Sequence, residues 1–294
     1  MTTTENQGLP VRSYIPQYRN ILSTVFEAKK AFAGALAPIQ TLDGIRQNAT
    51  AFTVKTSSTP VVIGEYKTDA NTAFGTGTSK SSRFGEMKEV IYEDTEVKYL
   101  YDLVINEGLD RHTVNNDLNA AIADRFKLQA IAQTRHMNVE NGKYLADSAG
   151  ETMTLSDHKE ETIKKLFNEL DSYYTDSEVI APITAYLTAE VYNAIVDMPS
   201  VTSSKGSGVN IDSNGLAKYK DFKLEKTPSR YFPKGVEAIL APDNVVIPFV
   251  GIETARTVEP IDFDGVALQA AAKGGEFILD DNKKAVVKVT KASL

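Results

Sequence analysis

The sequence predicts an α+β fold. Two observations carry that prediction: strand-like and helix-like runs are both long, and they do not alternate as regular β-α units. A third sets the class. The 294 residues are 42% hydrophobic and 24% charged, the balance of a globular chain with ample material for a core. Length alone suggests one large domain or two medium ones. The chain has no cysteine, which excludes disulfides, thiolate metal sites and a cysteine nucleophile. A net charge of −7 argues against a generally basic nucleic-acid-binding surface. Residues Met1 to Pro10 lack the basic and apolar blocks of a signal peptide, and no apolar run approaches the ~20 residues of a membrane span, so the chain reads as soluble.

Met1 to Pro16 is polar and broken by Gly8, Pro10 and Pro16, so it reads as an extended arm ordered only against another surface. Ile21, Leu22, Val25, Phe26 and Phe32 predict a short amphipathic helix near Ser23 to Phe32, ended by Gly34 and Pro38. Ala51 to Ile63 reads as strand around a Ser/Thr/Pro turn. Glu65 to Lys88 is a long polar stretch rich in Gly, Ser, Thr, Asn and Lys. Loops beyond ~12–15 residues are uncommon in compact domains unless they are functional or disordered. Val90 to Ile105 then alternates, with Val97, Tyr99, Tyr101, Leu103 and Ile105 on one face and Glu96, Lys98 and Asp102 on the other. Residues 50–105 together predict a two-stranded arm with a polar tip. A lone hairpin is marginal in water, so such an arm must lie on another surface.

Leu109 to Asn138 predicts one long helix with Leu118, Ile122 and Phe126 at four-residue spacing, Ala121, Leu128, Ile131 and Ala132 beside them, and Asn115-Asn116-Asp117 as a break or cap. Thirty residues would span ~45 Å, close to the ~50 Å diameter expected of a compact chain of this length, so the helix reads as a spine. A turn-like stretch from Asn141-Gly142 to Thr154 follows. Ser156 to Tyr174 predicts a helix capped by Ser156, with Ile163, Leu166, Phe167 and Leu170 as its apolar stripe. Val179 to Leu187 is a buried strand and Thr188 to Met198 a third helix ended by Pro199. Val201 to Gly215 is Ser/Gly-rich and reads as an exposed loop. Phe222 to Leu224, Ala238 to Ala241 and Val245 to Val250 read as strands. The end predicts a hairpin: Val266 to Phe277, a turn at Asp280 to Lys283, then Ala285 to Val289.

No catalytic constellation stands out. Gly75-Thr76-Gly77-Thr78-Ser79-Lys80-Ser81 imitates a phosphate loop but fails its spacing, because Ser79 and not glycine precedes Lys80. His112, His136 and His158 are far apart in sequence, and the first two lie 24 residues apart on one predicted helix, too distant to share a metal. Asp280 to Lys284 lacks the twelve-residue calcium-loop pattern. Ser203, Ser204 and Ser207 sit in no nucleophile elbow. The reading is of a protein with no catalytic residue, no metal site and no cofactor.

The order of these elements resembles the major capsid proteins of tailed bacteriophages, the Hong Kong 97 type of shell protein. The resemblance covers roughly residues 20–290. Its local carriers are Asn106, Gly108-Leu109-Asp110-Arg111 and Asn115-Asn116-Asp117-Leu118 running into Ala120-Ala121-Ile122-Ala123, similar to a spine-helix entry. Ile261-Asp262 and Gly265-Val266-Ala267-Leu268-Gln269 on to Lys284 are similar to the closing strands. The resemblance implies residues 1–49 as N-terminal arm and short helix, 50–105 as extended hairpin arm, and 106–154 as spine helix and peripheral domain. It implies 155–255 as axial domain and 256–294 as C-terminal strands returning to the peripheral domain. The implied function is a self-assembling, homo-oligomeric virion subunit, arranged in hexamers and pentamers of an icosahedral head around double-stranded DNA, assembled in the host cytoplasm with no membrane. Candidate inter-subunit contacts are Phe74, Lys80, Arg83, Phe84, Tyr99 and Tyr101. Separate scaffolding, portal and decoration proteins are the implied partners. The alternatives are a shell protein of a cellular encapsulating nanocompartment and a soluble α+β enzyme.

Overall fold

The computed structural model of the chain describes residues 28–42, 50–57, 59–69, 72, 82–114, 117–202, 209–212 and 215–292. The polar start Met1 to Pro16, residues 23–27 of the first predicted helix, Phe74, Gly75 to Ser81 with Lys80, Asn115, Asn116, 203–208 and 213–214 lie outside them. The chain divides into two units, Ile45–Tyr99 and Met1–Gly44 with Leu100–Leu294.

In chain order the first elements are β1 (Gln40–Thr41), β2 (Phe52–Thr56), β3 (Glu93–Val97), β4 (Tyr101–Asp110) and α1 (Leu118–Asp147). Next come β5 (Glu151–Leu155), α2 (Glu160–Asp176), β6 (Ile183–Leu187), α3 (Ala189–Val196) and α4 (Pro199–Thr202). Then follow β7 (Val209–Asp212), β8 (Gly215–Tyr219), β9 (Phe222–Lys226) and β10 (Val236–Pro242). The last are β11 (Ile247–Val258), β12 (Gly265–Phe277), α5 (Asp280–Lys283) and β13 (Val287–Lys291). Within the larger unit they form a four-stranded sheet, β1-β11-β12-β4, and a seven-stranded sheet, β5-β13-β10-β6-β9-β8-β7.

The central strands of the seven-stranded sheet, β6 and β10, are buried on both faces, which explains why they read as continuous apolar runs. Ala185, Leu187, Ala238, Leu240, Val287 and Val289 face one core, with Ile163, Leu166, Phe167 and Leu170 of α2. Fully burying such side chains stabilises by about 1.5–3 kcal/mol each. Tyr186, Ile239, Ala241 and Val286 point the other way, into a second core with Phe32, Leu145 and Tyr231. There the Tyr186 hydroxyl accepts from the Ala35 N–H at 2.8 Å.

The spine exists but is displaced. Leu109 and Asp110 end β4, paired with Val266 and Gly265 of β12, and the helix starts at Leu118, where Asp117 accepts from the Ala120 N–H at 3.0 Å. The predicted turn at Asn141-Gly142 is helix interior. Of the expected apolar side, Ala121, Leu128 and Ile131 are buried, joined by Asn138, Gly142 and Leu145, whereas Phe126 is 43% exposed. The N-terminal half docks on β4 through Arg125 and Gln129, both donating to Glu107. These bonds hold the Glu107 carboxyl below its usual range, Arg125 contributing most. The C-terminal half carries Leu145 and Ala146 into the second core. One helix thus ties both sheets together.

Other expectations change in the same way. Val90 to Ile105 is two strands, β3 and β4, in different sheets. Val61 to Ile63 belongs to no strand. The helix predicted from Ser156 begins at Glu160, and Ser156 does not cap it. Of the helix predicted to end at Phe32, residues 28–32 are not helical, and Phe32 adopts a left-handed φ of 61°. Val201, read as exposed loop, is buried in α4, and β7 lies within the same stretch, paired with β8. The terminal hairpin does not form: β12 pairs with β11 and β4, β13 pairs with β10 and β5, and α5 connects the two sheets.

Glu276 in β12 is 5% exposed, and its Oε1 has no hydrogen-bond partner. Burial, reinforced by Glu140, pushes its carboxyl from 4.5 up to about 8. The unfolded chain loses this proton near 4.5 and the folded chain keeps it to about 8, so its contribution is full below 4.5 and lost as pH rises toward 8. The Glu276→Gln variant is expected to flatten this decline and to exceed the native chain by a few kcal/mol at pH 8–9. Urea denaturation of unassembled subunits at pH 5, 7 and 9 checks it. Parallel pH profiles for the two chains would refute the buried-acid assignment.

Candidate functional site

The smaller unit is built on a hairpin. β2 and β3 pair antiparallel, with Phe52 opposite Val97, Val54 opposite Thr95 and Thr56 opposite Glu93. Alternation sends Phe52, Val54 and Val97 to one face and Thr53, Lys55, Asp94 and Glu96 to the other. The Thr56 and Thr95 hydroxyls lie 3.2 Å apart, and Thr50 donates to Glu96 at 3.1 Å. Beyond Thr56 and Glu93 the ladder stops, although the two chain segments still meet where the Lys67 N–H donates to the Arg83 carbonyl at 3.0 Å.

Outside its paired strands this unit holds a concentration of unburied apolar side chains. Val61 and Ile63 are each 92% exposed, Met87 is 95% exposed, and Val62, Val90, Ile91 and Tyr92 are exposed as well. Scattered apolar residues are normal on a surface, but contiguous runs of this kind mark interaction sites. The sequence assigns Val61 to Ile63 and Val90 to Tyr92 to strands, whereas in the structure both runs lie outside strands and are exposed. Their signal is three consecutive apolar residues without alternation, flanking a polar stretch.

Two of the candidate contact residues meet here. Phe84, 85% exposed, packs edge-on against Tyr66 at 5.2 Å between centroids. The Arg83 guanidinium sits 5.9 Å from the Tyr66 ring centre, and its Nε donates to the Thr72 carbonyl at 3.3 Å. Tyr99 closes the smaller unit. Tyr101 lies in the larger one, half-buried in β4 opposite Gly274, where a side chain on the glycine would meet its hydroxyl. Phe74 and Lys80 lie outside the described residues. This surface can bury area and form hydrogen bonds; among its described residues it brings together no nucleophile and base.

No family model matches the chain and no curated protein matches it. Solved structures do match. The bacteriophage PhiM1 mature capsid aligns with 93% of this chain and 90% of its own, at a TM-score of 0.67 and 7% identity. The capsid of the cyanophage P-SCSP1u covers 99% of both chains, at a TM-score of 0.64 and 10% identity. A virus-like particle from Pyrococcus furiosus covers 88% of this chain and 91% of its own, at a TM-score of 0.50 and 15% identity. At these identities the likeness is one of fold. The chain has the Hong Kong 97 type fold of phage capsid proteins.

Proposed function

We propose that this chain is a major capsid protein, the self-assembling subunit of an icosahedral phage head that encloses double-stranded DNA. The observation that carries the reading is a likeness of fold running nearly end to end in both chains, not confined to one motif. The chemistry agrees. A shell subunit needs several modest contacts, each of about 800 Å² per partner. An arm with unburied apolar runs supplies one of them, with Arg83, Phe84 and Tyr99 nearby. Phe74, Lys80 and Tyr101 complete the proposed contact set. Residues 155–255 would form the axial domain around the centre of hexamers and pentamers, and the spine helix would belong to the peripheral domain. A net charge of −7 keeps the subunit from gripping packaged DNA as a basic protein would. Scaffolding, portal and decoration proteins would act from outside this chain, and assembly would take place in the host cytoplasm.

Electron microscopy of the purified, expressed protein tests the proposal. Closed shells are expected. A small monodisperse monomer that binds a metabolite would refute it in favour of an enzyme or ligand-binding protein. The likeness to the Pyrococcus furiosus particle favours a second reading, a nanocompartment that encloses protein cargo. The contents of particles recovered from their native source, DNA or protein, decide between the two.

A further inference from the structure

We propose that His158, Glu190 and Glu237 form a binding site for a divalent transition-metal ion of the zinc class. Among the described residues, one group of imidazole and carboxylate atoms lies close enough to share an ion, and it is this one. Its ligand atoms all lie within 4.8 Å of one another. His158 Nε2 is 3.0 Å from Glu237 Oε2. Bonds of about 2.1 Å bring tetrahedral ligands to roughly 3.4 Å apart. Closing the cluster from 4.8 Å therefore requires only a small swing of Glu190, which is exposed.

Three separate elements deliver these groups. Glu237 is the irregular residue of β10: Val236 pairs with Thr290 and Ala238 with Val289, so Glu237 is skipped by β13. A bulge of this kind re-aims a side chain and is a recurrent device at sites. The Glu237 carbonyl accepts from the Thr188 N–H at 3.0 Å. Thr188 is the N-cap of α3, and Glu190 stands in the first turn of that helix. One backbone bond thus fixes the two glutamates relative to each other. His158 precedes α2 in a turn held by Asp157, which accepts from the Lys159 N–H at 3.1 Å and the Thr162 hydroxyl at 2.6 Å.

Charge argues for a cation. Glu237 is only 8% exposed, yet its carboxylate lies beside that of Glu190. Two carboxylates this close, one of them buried, repel unless a positive charge stands between them. A divalent ion bound by all three groups supplies it. One nitrogen and two carboxylate ligands suit zinc and its neighbours better than magnesium, which prefers an octahedral oxygen shell. The exposed Glu190 leaves an entry path and a position for water.

Isothermal titration calorimetry of the full chain with zinc chloride tests this. One ion per chain is expected, with thermal stability raised by zinc and restored to its starting value by a chelator. Outer-shell partners alone are worth about 10–100-fold in metal affinity, so Glu190→Gln and His158→Asn are each expected to weaken binding at least tenfold. Glu190 is exposed, so its variant folds even if one at Glu237 does not. Absence of saturable uptake would leave a histidine–glutamate ion pair only, and uptake unchanged in both variants would place the zinc elsewhere; either result overturns the site.

Discussion

Serine in place of Val61, Ile63, Val90 and Tyr92 is expected to abolish shell formation while leaving the larger unit as stable as before. The magnitudes decide this. Val61 and Ile63 are each 92% exposed, Tyr92 is 64% exposed and Val90 is 51% exposed, so the folded subunit gains little from any of them. Substitutions of such surface residues typically change stability by no more than about 0.5 kcal/mol. Buried against a neighbour, side chains of this size contribute about 1.5–3 kcal/mol each, and each 1.4 kcal/mol is about tenfold in an association constant. Every subunit of a shell carries the same arm, so the loss repeats at every contact. Sedimentation and electron microscopy read the assembly state, and thermal denaturation of unassembled subunits reads the fold. Intact shells from the fourfold variant would remove the arm from the assembly mechanism. Deleting residues 68–85 tests the tip in the same way and is expected to leave a soluble subunit impaired in particle formation.

The location of this surface was half legible in the sequence. A long polar stretch between strand-like runs points to a separate unit, which the structure has at Ile45–Tyr99, because compact domains seldom carry such a stretch. What the residues of Val61 to Ile63 do was not legible, since three apolar residues in a row suit a buried strand as well as a docking patch. Only the absence of a partner strand distinguishes them, and pairing is a long-range property. The same limit explains the terminal strands. Alternation in Val266 to Phe277 and in Val287 to Val289 correctly announces strands, but nothing local says that β13 will pair in parallel with β5, as Val289 does with Met153. The strand β4 ran past its expected end because Glu107, a polar residue in the apolar register, is satisfied by Arg125 and Gln129 of α1. Glu190 and Glu237 escaped notice beside His158 for a similar reason: the bulge and the cap that bring them together lie on different elements.

The spine's C-terminal half shows the limit at one residue. Asn138, Asn141 and Gly142 looked like a helix end, and each is buried for a tertiary reason instead or in addition. Asn138 accepts from the Ala31 N–H at 2.9 Å and donates to the Lys29 carbonyl at 2.8 Å, filling both ends of its amide with a segment more than a hundred residues away. Gly142 is there for space. A Cβ on it would lie 2.0 Å from the Tyr231 carbonyl oxygen and 3.1 Å from the Phe32 ring. Helix propensity alone predicts that Gly142→Ala stabilises by about 1 kcal/mol. The geometry predicts the opposite sign, because the obstacle is backbone and cannot rotate away. Overpacking of a tight core costs about 1–3 kcal/mol even where side chains can adjust. The alanine variant is therefore expected to lose at least about 2 kcal/mol net, and Gly142→Leu to prevent folding of the larger unit. Lys143→Ala, on the exposed neighbour, is the control and should stay within about 0.5 kcal/mol of the native chain. Urea denaturation measures all three. A Gly142→Ala chain more stable than the native one would mean that α1 does not rest on Tyr231. The helix would then not be the part that holds the second core to the four-stranded sheet.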